Sequence, residues 1–277
     1  MKAWILFITL TVVHFNITAQ WCGTTVLANQ IQLESTLSIP ALTPTQGLPK
    51  VNRNLSVAFY VVLDSLKRAG VTTNQIDDAI ARLNTEFSPI GLQFHICSVN
   101  YVENYQFDNI QAGGNENALT LSNSTKDVIN IYLATAVFDP FKNAVKGYTY
   151  MPASSRNYIF LTKYFIEGSE LSHQLGHFFN LYHTHETAFG REDVARDNCD
   201  KAGDLCCDTE ADPNIFGMVN ADCLFSDESL KDPKGALYNP SSKNIMSYSS
   251  DICRCYFSKM QYQRIAHAVL HLKTNLK

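Results

Sequence analysis

The hydrophobic pattern of the chain becomes regular at residue 57, where it predicts a strand followed by a helix. The run that begins at Val57, V-A-F-Y-V-V-L, is apolar throughout, which indicates a strand buried on both faces. The next apolar positions recur at offsets of four, three and four, so they mark one face of a helix. They are Ile76, Ile80, Leu83 and Phe87.

Three more strands are predicted after this helix. Apolar and polar side chains alternate from Gly91 to Cys97, which is the pattern of a half-buried strand. Two shorter apolar segments, 128–133 and 158–162, predict the third and fourth strands. A helix that carries histidines follows near residue 172. This order predicts an α/β fold of the α+β type, in which helices pack on a twisted mixed sheet.

The part of the chain after residue 184 is rich in glycine, aspartate and proline and has little periodicity. A helix closes it, because Ser258 can cap a helix and Gln261 completes a capping box. Six cysteines in this part predict three disulfides, which would replace missing regular structure. They are Cys199, Cys206, Cys207, Cys223, Cys253 and Cys255. A bridge between Cys22 and Cys97 is an open alternative for the other two.

The N-terminal residues predict export. Residues 1–19 combine Lys2, an apolar run and small residues near Ala19, which is typical of a secretory signal, with a membrane anchor as the alternative. Residues 20–55 contain three prolines and no clear period, and they predict a prosegment ahead of a domain over 56–277. An exported protein meets an oxidising compartment, where disulfides persist.

Composition narrows the classes of partner. The 277 residues carry a formal net charge of -4, so no basic field is available for nucleic acid. After the signal, no segment approaches the roughly 18 apolar residues of a membrane-spanning helix. The sequence leaves the oligomeric state open.

The stretch 172–185, S-H-Q-L-G-H-F-F-N-L-Y-H-T-H, has the spacing of a metal site. His173 and His177 are four apart, so on a helix they share one face. His183 comes six residues later, which is a rotation of roughly 240° on a helix. The helix must therefore end before His183, and Asn180 is a residue that tolerates the left-handed conformation needed there.

The motif H-x-x-x-H-x-x-N-x-x-H, followed by N-I-M-S-Y at 244–248, resembles the zinc motif and Met-turn of the metzincin metallopeptidases. Within them the chain resembles the pappalysin family. The segments that carry this likeness are C-D-K-A-G-D-L-C-C-D-T at 199–209, C-R-C-Y-F-S-K-M-Q-Y-Q-R at 253–264 and W-C-G-T at 21–24. The resemblance implies an upper subdomain over 56–183 and a lower one over 184–277.

The resemblance implies that His173, His177 and His183 bind zinc and leave a fourth position for water. The spacing favours His183 over the nearby His185 as the third ligand. Met246 would form an apolar floor under the ion.

Further roles follow from the same resemblance. Tyr248 would stabilise the oxyanion that forms on a scissile carbonyl. Asp251 would receive a basic side chain of a peptide or protein substrate, and Cys22 would bind the zinc and keep a proenzyme silent. Asp204 and Asp208 are candidate calcium ligands, although aspartates in loops are more often turn and capping residues.

Gln174 departs from the family pattern, which has the general-base glutamate at this position. An amide cannot accept the proton of the attacking water, so hydrolysis should be weak or absent while the metal site stays intact. The glutamine could be engineered, natural to a pseudo-peptidase, or a sporadic variant of an active lineage. The leading hypothesis is a secreted zinc metallopeptidase of low activity. The alternatives are a zinc-containing peptide-binding module and a structural domain without metal.

Overall fold

A computed structural model describes residues 21–37, 47–227 and 229–277. The predicted signal at 1–19 lies outside these ranges. Five α-helices occur in the described part of the chain: α1 Ala28–Thr36, α2 Thr73–Glu86, α3 Glu116–Ser122, α4 Glu170–Phe178 and α5 Lys259–His267. The strands there are β1 Arg53–Val62, β2 Leu92–Val102, β3 Asn109–Gln111, β4 Ile129–Ala134, β5 Ala136–Phe138, β6 Ala144–Val145, β7 Gly147–Thr149 and β8 Tyr158–Thr162.

The main sheet has five strands in the order β2-β1-β4-β8-β7. The first four are parallel, and β7 pairs antiparallel to β8 at the edge. A second sheet has the order β3-β5-β6. The prediction of a mixed α/β fold is confirmed, and the four strands predicted from hydrophobic pattern coincide with β1, β2, β4 and β8.

A column of four aromatic rings crosses the main sheet on one face. Tyr60, Tyr132 and Phe160 stack with ring centroids 5.0 Å apart at each step, and Tyr148 follows 4.7 Å from Phe160. These residues belong to β1, β4, β8 and β7 in that order. Because cross-strand aromatic pairs stabilise strand pairing, the column helps to hold the short edge strand β7 in register.

Capping and apolar burial explain the helices on the other face. Thr72 and Gln75 form a capping box at the start of α2, and its apolar side chains are buried in the main core. Ser258 and Gln261 form the predicted capping box at the start of α5. A π-helical turn, Ala268–Leu272, continues α5. Helix α4 packs on β7 and β8, so the histidine-bearing helix lies beside the sheet edge.

Two disulfides stabilise the irregular lower part of the chain, Cys199–Cys207 and Cys223–Cys253. The expectation of a third bridge from the six cysteines is wrong. Cys206 is buried and Cys255 is exposed, and both are free thiols. Cys22 and Cys97 are also free, with the first buried and the second exposed.

The described residues contain no helix with the length and apolar character that crossing a membrane requires.

Candidate metal centre

A break in the chain after α4 brings the third histidine back to the first two. Asn180 has a φ of 71°, which is the left-handed conformation predicted for it. The peptide N–H of Leu181 then donates to the Gly176 carbonyl at 2.8 Å. As a result, the Nε2 atom of His177 lies 3.2 Å from that of His173 and 3.0 Å from that of His183.

Backbone carbonyls orient two of these rings. The Nδ1 atom of His173 lies 2.7 Å from the Ile245 carbonyl oxygen, and that of His177 lies 2.8 Å from the Leu181 carbonyl oxygen. A neutral ring that donates from Nδ1 keeps the Nε2 lone pair free for a metal. Burial lowers the pKa of His177 to about 4 and holds the pKa values of His173 and His183 well below their usual range.

A cysteine from the N-terminal segment completes the cluster. The donor atoms of Cys22, His173, His177 and His183 all lie within 4.8 Å of one another, and all four residues are buried. Three imidazoles and one thiol are donors that zinc prefers in proteins. The residues therefore fit a zinc ion.

Residues 21–37, which we call the arm, begin by following the edge strand β7. The Lys146 N–H donates to the Trp21 carbonyl at 2.9 Å, and the Gly23 N–H donates to the Gly147 carbonyl at 2.8 Å. The Thr149 N–H donates to the Thr24 hydroxyl at 2.9 Å. These contacts cover the edge of the sheet that borders the histidines, and they place Cys22 beside the histidines.

Gln174 lies inside the centre with its amide fully engaged. Its Nε2 donates to Glu170 at 2.8 Å and to the Cys22 sulfur at 3.2 Å. Its Oε1 accepts the hydroxyl proton of Thr24 at 3.0 Å. The side chain is completely buried. The amide therefore links the arm to α4. The one acceptor that it offers at the centre is a neutral carbonyl oxygen.

A buried ion-pair network lies behind the histidines. No pattern in the sequence indicates it. Arg254 donates to Glu170 at 2.9 Å, and it also pairs with Asp251. Burial opposes ionisation of Glu170, but the charges of Arg254 and Lys146 prevail and lower its pKa. Arg254 also lies 3.1 Å from the Nδ1 atom of His173. The acidic residue was visible in the sequence one turn before Gln174, but its cationic partner is 84 residues away.

The other predicted site residues occupy separate positions around the cluster. Met246 is fully buried, and a Cβ atom added to Gly176 would come within 2.4 Å of its sulfur, so the methionine packs against α4. The Tyr248 hydroxyl donates to the Cys22 carbonyl at 3.2 Å. Asp251 lies 3.4 Å from the Lys146 ammonium as well as against Arg254.

His185 stands outside the group of four donors. Its ring stacks on that of His183 with centroids 4.9 Å apart, and it lies 4.2 Å from the Tyr248 ring. Its Nδ1 atom is buried without a hydrogen-bond partner among the described residues. His183, not His185, is thus the residue that the fold brings to His173 and His177.

A second acidic group lies in the lower part of the chain. Both carboxylate oxygens of Glu192 are buried without a hydrogen-bond partner among the described residues. Burial and the nearby Asp204 raise the pKa of Glu192 to about 8, and burial raises that of Asp204 to about 7. Asp208 is a helix cap, because it accepts from the Ser258 hydroxyl at 2.7 Å and the Met260 N–H at 2.8 Å. No motif or spacing in the sequence indicates the buried position of Glu192.

Comparisons with known proteins agree with this geometry. Residues 150–270 match the Peptidase_M43 family model, which is described as pregnancy-associated plasma protein-A. Residues 150–270 are therefore similar to the pappalysin family domain. An extracellular metalloprotease of Sordaria macrospora is 28% identical in an alignment of 234 residues that covers 76% of this chain and 73% of the relative. One of Neurospora crassa is 27% identical over the same shares of the two chains.

Solved structures share the fold of this chain. Promirolysin of Tannerella forsythia superposes with a TM-score of 0.64 at 14% identity, covering 92% of this chain and 95% of that one. Mature mirolysin, solved with a cleaved peptide, superposes with a TM-score of 0.61 at 14% identity. It covers 82% of this chain and 96% of its own.

Proposed function

We propose that this protein is a secreted zinc metallopeptidase of the pappalysin type whose hydrolytic step is impaired by Gln174. His173, His177 and His183 would hold the zinc ion. A bound zinc ion supplies a Lewis acid and lowers the pKa of a water molecule at the site. The observation that carries the proposal is the buried group of neutral imidazoles and one thiol, with a glutamine amide in contact with that thiol.

No described side chain nearby replaces the missing base. Glu170 contacts the Gln174 amide, but its ion pair with Arg254 lowers its pKa and makes it a poor proton acceptor. Loss of a positioned acid/base costs roughly 10²- to 10⁴-fold in rate. Tyr248, whose ring lies 4.7 Å from that of His183, is the candidate donor to the oxyanion.

Reversion of Gln174 tests the proposal. The glutamate introduced by Gln174→Glu would lie against Glu170, and two adjacent carboxylates raise the pKa of one of them. The comparison therefore includes the double variant Gln174→Glu, Glu170→Gln as well as the single one. All proteins are loaded with zinc, freed of the arm by limited proteolysis verified by intact mass, and tested on a mixed peptide library.

We expect at least one revertant to cleave roughly a hundredfold faster than the parent, which is the low end of what a general base supplies. Zinc-loaded revertants that cleave no faster would overturn the peptidase proposal. They would instead favour the second candidate function, a zinc-containing module that binds a peptide or protein. The specific observation behind that candidate is the saturated Gln174 amide, which holds a bound segment without offering a base.

The Cys22 thiol is the proposed switch that keeps the site closed. Its sulfur lies among the histidine nitrogens, and the arm on either side is hydrogen-bonded to the sheet edge and to Gln174. Removal of the chain up to about residue 53, which includes the arm, should expose the metal to water. A zinc-loaded chain in which Cys22 is disulfide-bonded would contradict this role.

Asp251 remains the proposed specificity residue for a basic side chain. In the intact chain its charge is already paired with Lys146 and Arg254. A substrate cation would have to displace the Lys146 ammonium, since Arg254 is buried. Lys146→Ala should therefore increase the preference for Arg or Lys after the cleaved bond.

We also propose a calcium site at Glu192 and Asp204. Calcium takes carboxylate oxygens as ligands, and the two free oxygens of Glu192 need a cation or a proton when buried. Asp208 is better explained as the cap of α5.

A further inference from the structure

A polar socket on the far side of the helix break holds the arm by a carboxylate. Arg264 of α5 donates to both oxygens of Glu34, each at 2.9 Å. The Tyr182 hydroxyl donates to the same carboxylate at 2.8 Å, and the Asn180 amide donates at 3.2 Å. Both bonds come from the Nη2 atom of Arg264, and this charged nitrogen with two further donors is an arrangement suited to a carboxylate.

The helix that carries Glu34 has little else to hold it. Among the nine residues of α1, Gln30 alone is buried, whereas Ile31 is 39% exposed. Gln30 lies one turn before Glu34 and donates to Asn180 at 2.7 Å and to Tyr182 at 2.9 Å. Gln30 also accepts from the Ala153 N–H at 3.0 Å. Because α1 buries an amide in place of an apolar stripe, its docking depends on polar contacts, most of which lie at this socket.

The socket carries a buried positive charge that needs a partner. The Arg264 side chain is 3% exposed, and its guanidinium lies 5.2 Å from the Tyr182 ring centre. Among the described residues, no other carboxylate forms an ion pair with Arg264. An unpaired buried cation is costly, so the socket favours an anion whenever Glu34 is absent.

Asn180 contributes to the socket and to the metal centre. Its backbone provides the left-handed break that returns His183 to the metal centre, and a glycine could do the same. Only the asparagine side chain can accept from Gln30 and donate to Glu34. Asn180 therefore has two roles: its backbone shapes the metal centre, and its side chain helps to dock the arm.

We propose that Arg264, Asn180 and Tyr182 form a carboxylate-binding site, distinct from the metal centre, that anchors the arm through Glu34. The arm then has two independent attachments, one at Cys22 and one at this socket. The socket requires neither a metal nor catalysis. The test of this proposal is therefore independent of the proposed peptidase function.

Amide hydrogen exchange of the full chain tests the anchor. Glu34→Gln should raise the exchange rate of the α1 amides by about tenfold to a hundredfold, the range expected when a charge-assisted hydrogen bond is lost. Gln32→Ala, on the exposed face of α1, is the matched control and should leave the rate unchanged. Cys22→Ser should also leave α1 protected. Unchanged exchange in Glu34→Gln, or release of α1 by Cys22→Ser alone, would overturn the proposal.

Rescue by a small carboxylate tests the chemistry of the socket. In Glu34→Ala, sodium acetate should restore protection of α1, whereas sodium chloride at the same ionic strength should not. Equal effects of the two salts would show that the socket does not select a carboxylate and would refute this part of the proposal. Both variants change the arm and leave Arg264 in place, so the domain keeps its own buried residues.

Discussion

The ion pair between Glu170 and Arg254 should be a major source of stability behind the metal centre. Their side chains are 1% and 3% exposed, and their charged atoms lie 2.9 Å apart. Glu170→Gln keeps the shape of the side chain and removes its charge. Arg254 would then retain only Asp251, whose side chain is 19% exposed.

The structure sets the size of the expected loss. Removal of one partner of a buried ion pair typically costs about 3–5 kcal/mol, because the other charge is left buried without compensation. Asp251 still compensates part of the Arg254 charge, so we expect the lower end, about 3 kcal/mol of unfolding free energy.

The loss should depend on pH in one direction. Burial would raise the pKa of Glu170, but the Arg254 and Lys146 charges lower it below its usual value. A carboxyl group whose pKa is lower in the folded state stabilises the fold above its unfolded pKa, and this contribution disappears as the pH falls through the folded pKa. The difference between the parent and Glu170→Gln should therefore be constant near neutral pH and shrink in acid.

Urea unfolding at several pH values, with EDTA present, measures this difference. Glu103→Gln is the control, because its ion pair with Lys67 is exposed on both sides and should contribute little. A loss for Glu170→Gln no larger than that of the control, or a loss that grows in acid, would refute the reasoning.

Three further predictions concern other parts of the chain. Asn180→Val should cost about 1–2 kcal/mol in urea unfolding because its φ of 71° is strained for a side chain branched at Cβ, whereas Asn180→Gly should not show this strain. Without calcium, the raised pKa values of Glu192 and Asp204 mean that stability should fall as the pH rises from about 4, where these carboxyls ionise in the unfolded chain, and level off above about 8, and calcium should restore it; a melting temperature independent of both would contradict the site. In mass mapping of the metal-free protein, iodoacetamide should modify the exposed Cys97 well before the buried Cys22, and equal rates would contradict the placement of the arm.

The local features of the metal centre could be predicted from the sequence. The spacing of His173, His177 and His183 requires a helix that ends between them, and Asn180 adopts the left-handed conformation that this requires. The strands with a clear hydrophobic pattern, β1, β2, β4 and β8, are also predicted from the sequence. In contrast, β7 is only three residues long and has no period to detect, yet it is the edge along which the arm runs.

The features that the sequence did not predict depend on contacts between distant residues. The partners of Gln174 include Cys22, 152 residues earlier, and Glu34 meets Arg264 across 230 residues. Disulfide pairing has the same difficulty, since six cysteines allow many pairings and the fold leaves Cys206 and Cys255 as free thiols. Helix α1 is not predicted from the sequence, because it lacks the apolar stripe by which amphipathic helices are recognised.

Zinc content tests the central claim, that the site is intact apart from its base, most directly. Metal analysis of the purified chain after dialysis should find about one zinc ion per chain, in the parent and in Gln174→Glu alike, because residue 174 is not a ligand. His177→Ala should lose the metal, while the exposed His95 can be replaced by alanine as a control without effect. A parent chain that holds no zinc after purification and takes up none on dialysis would contradict the account.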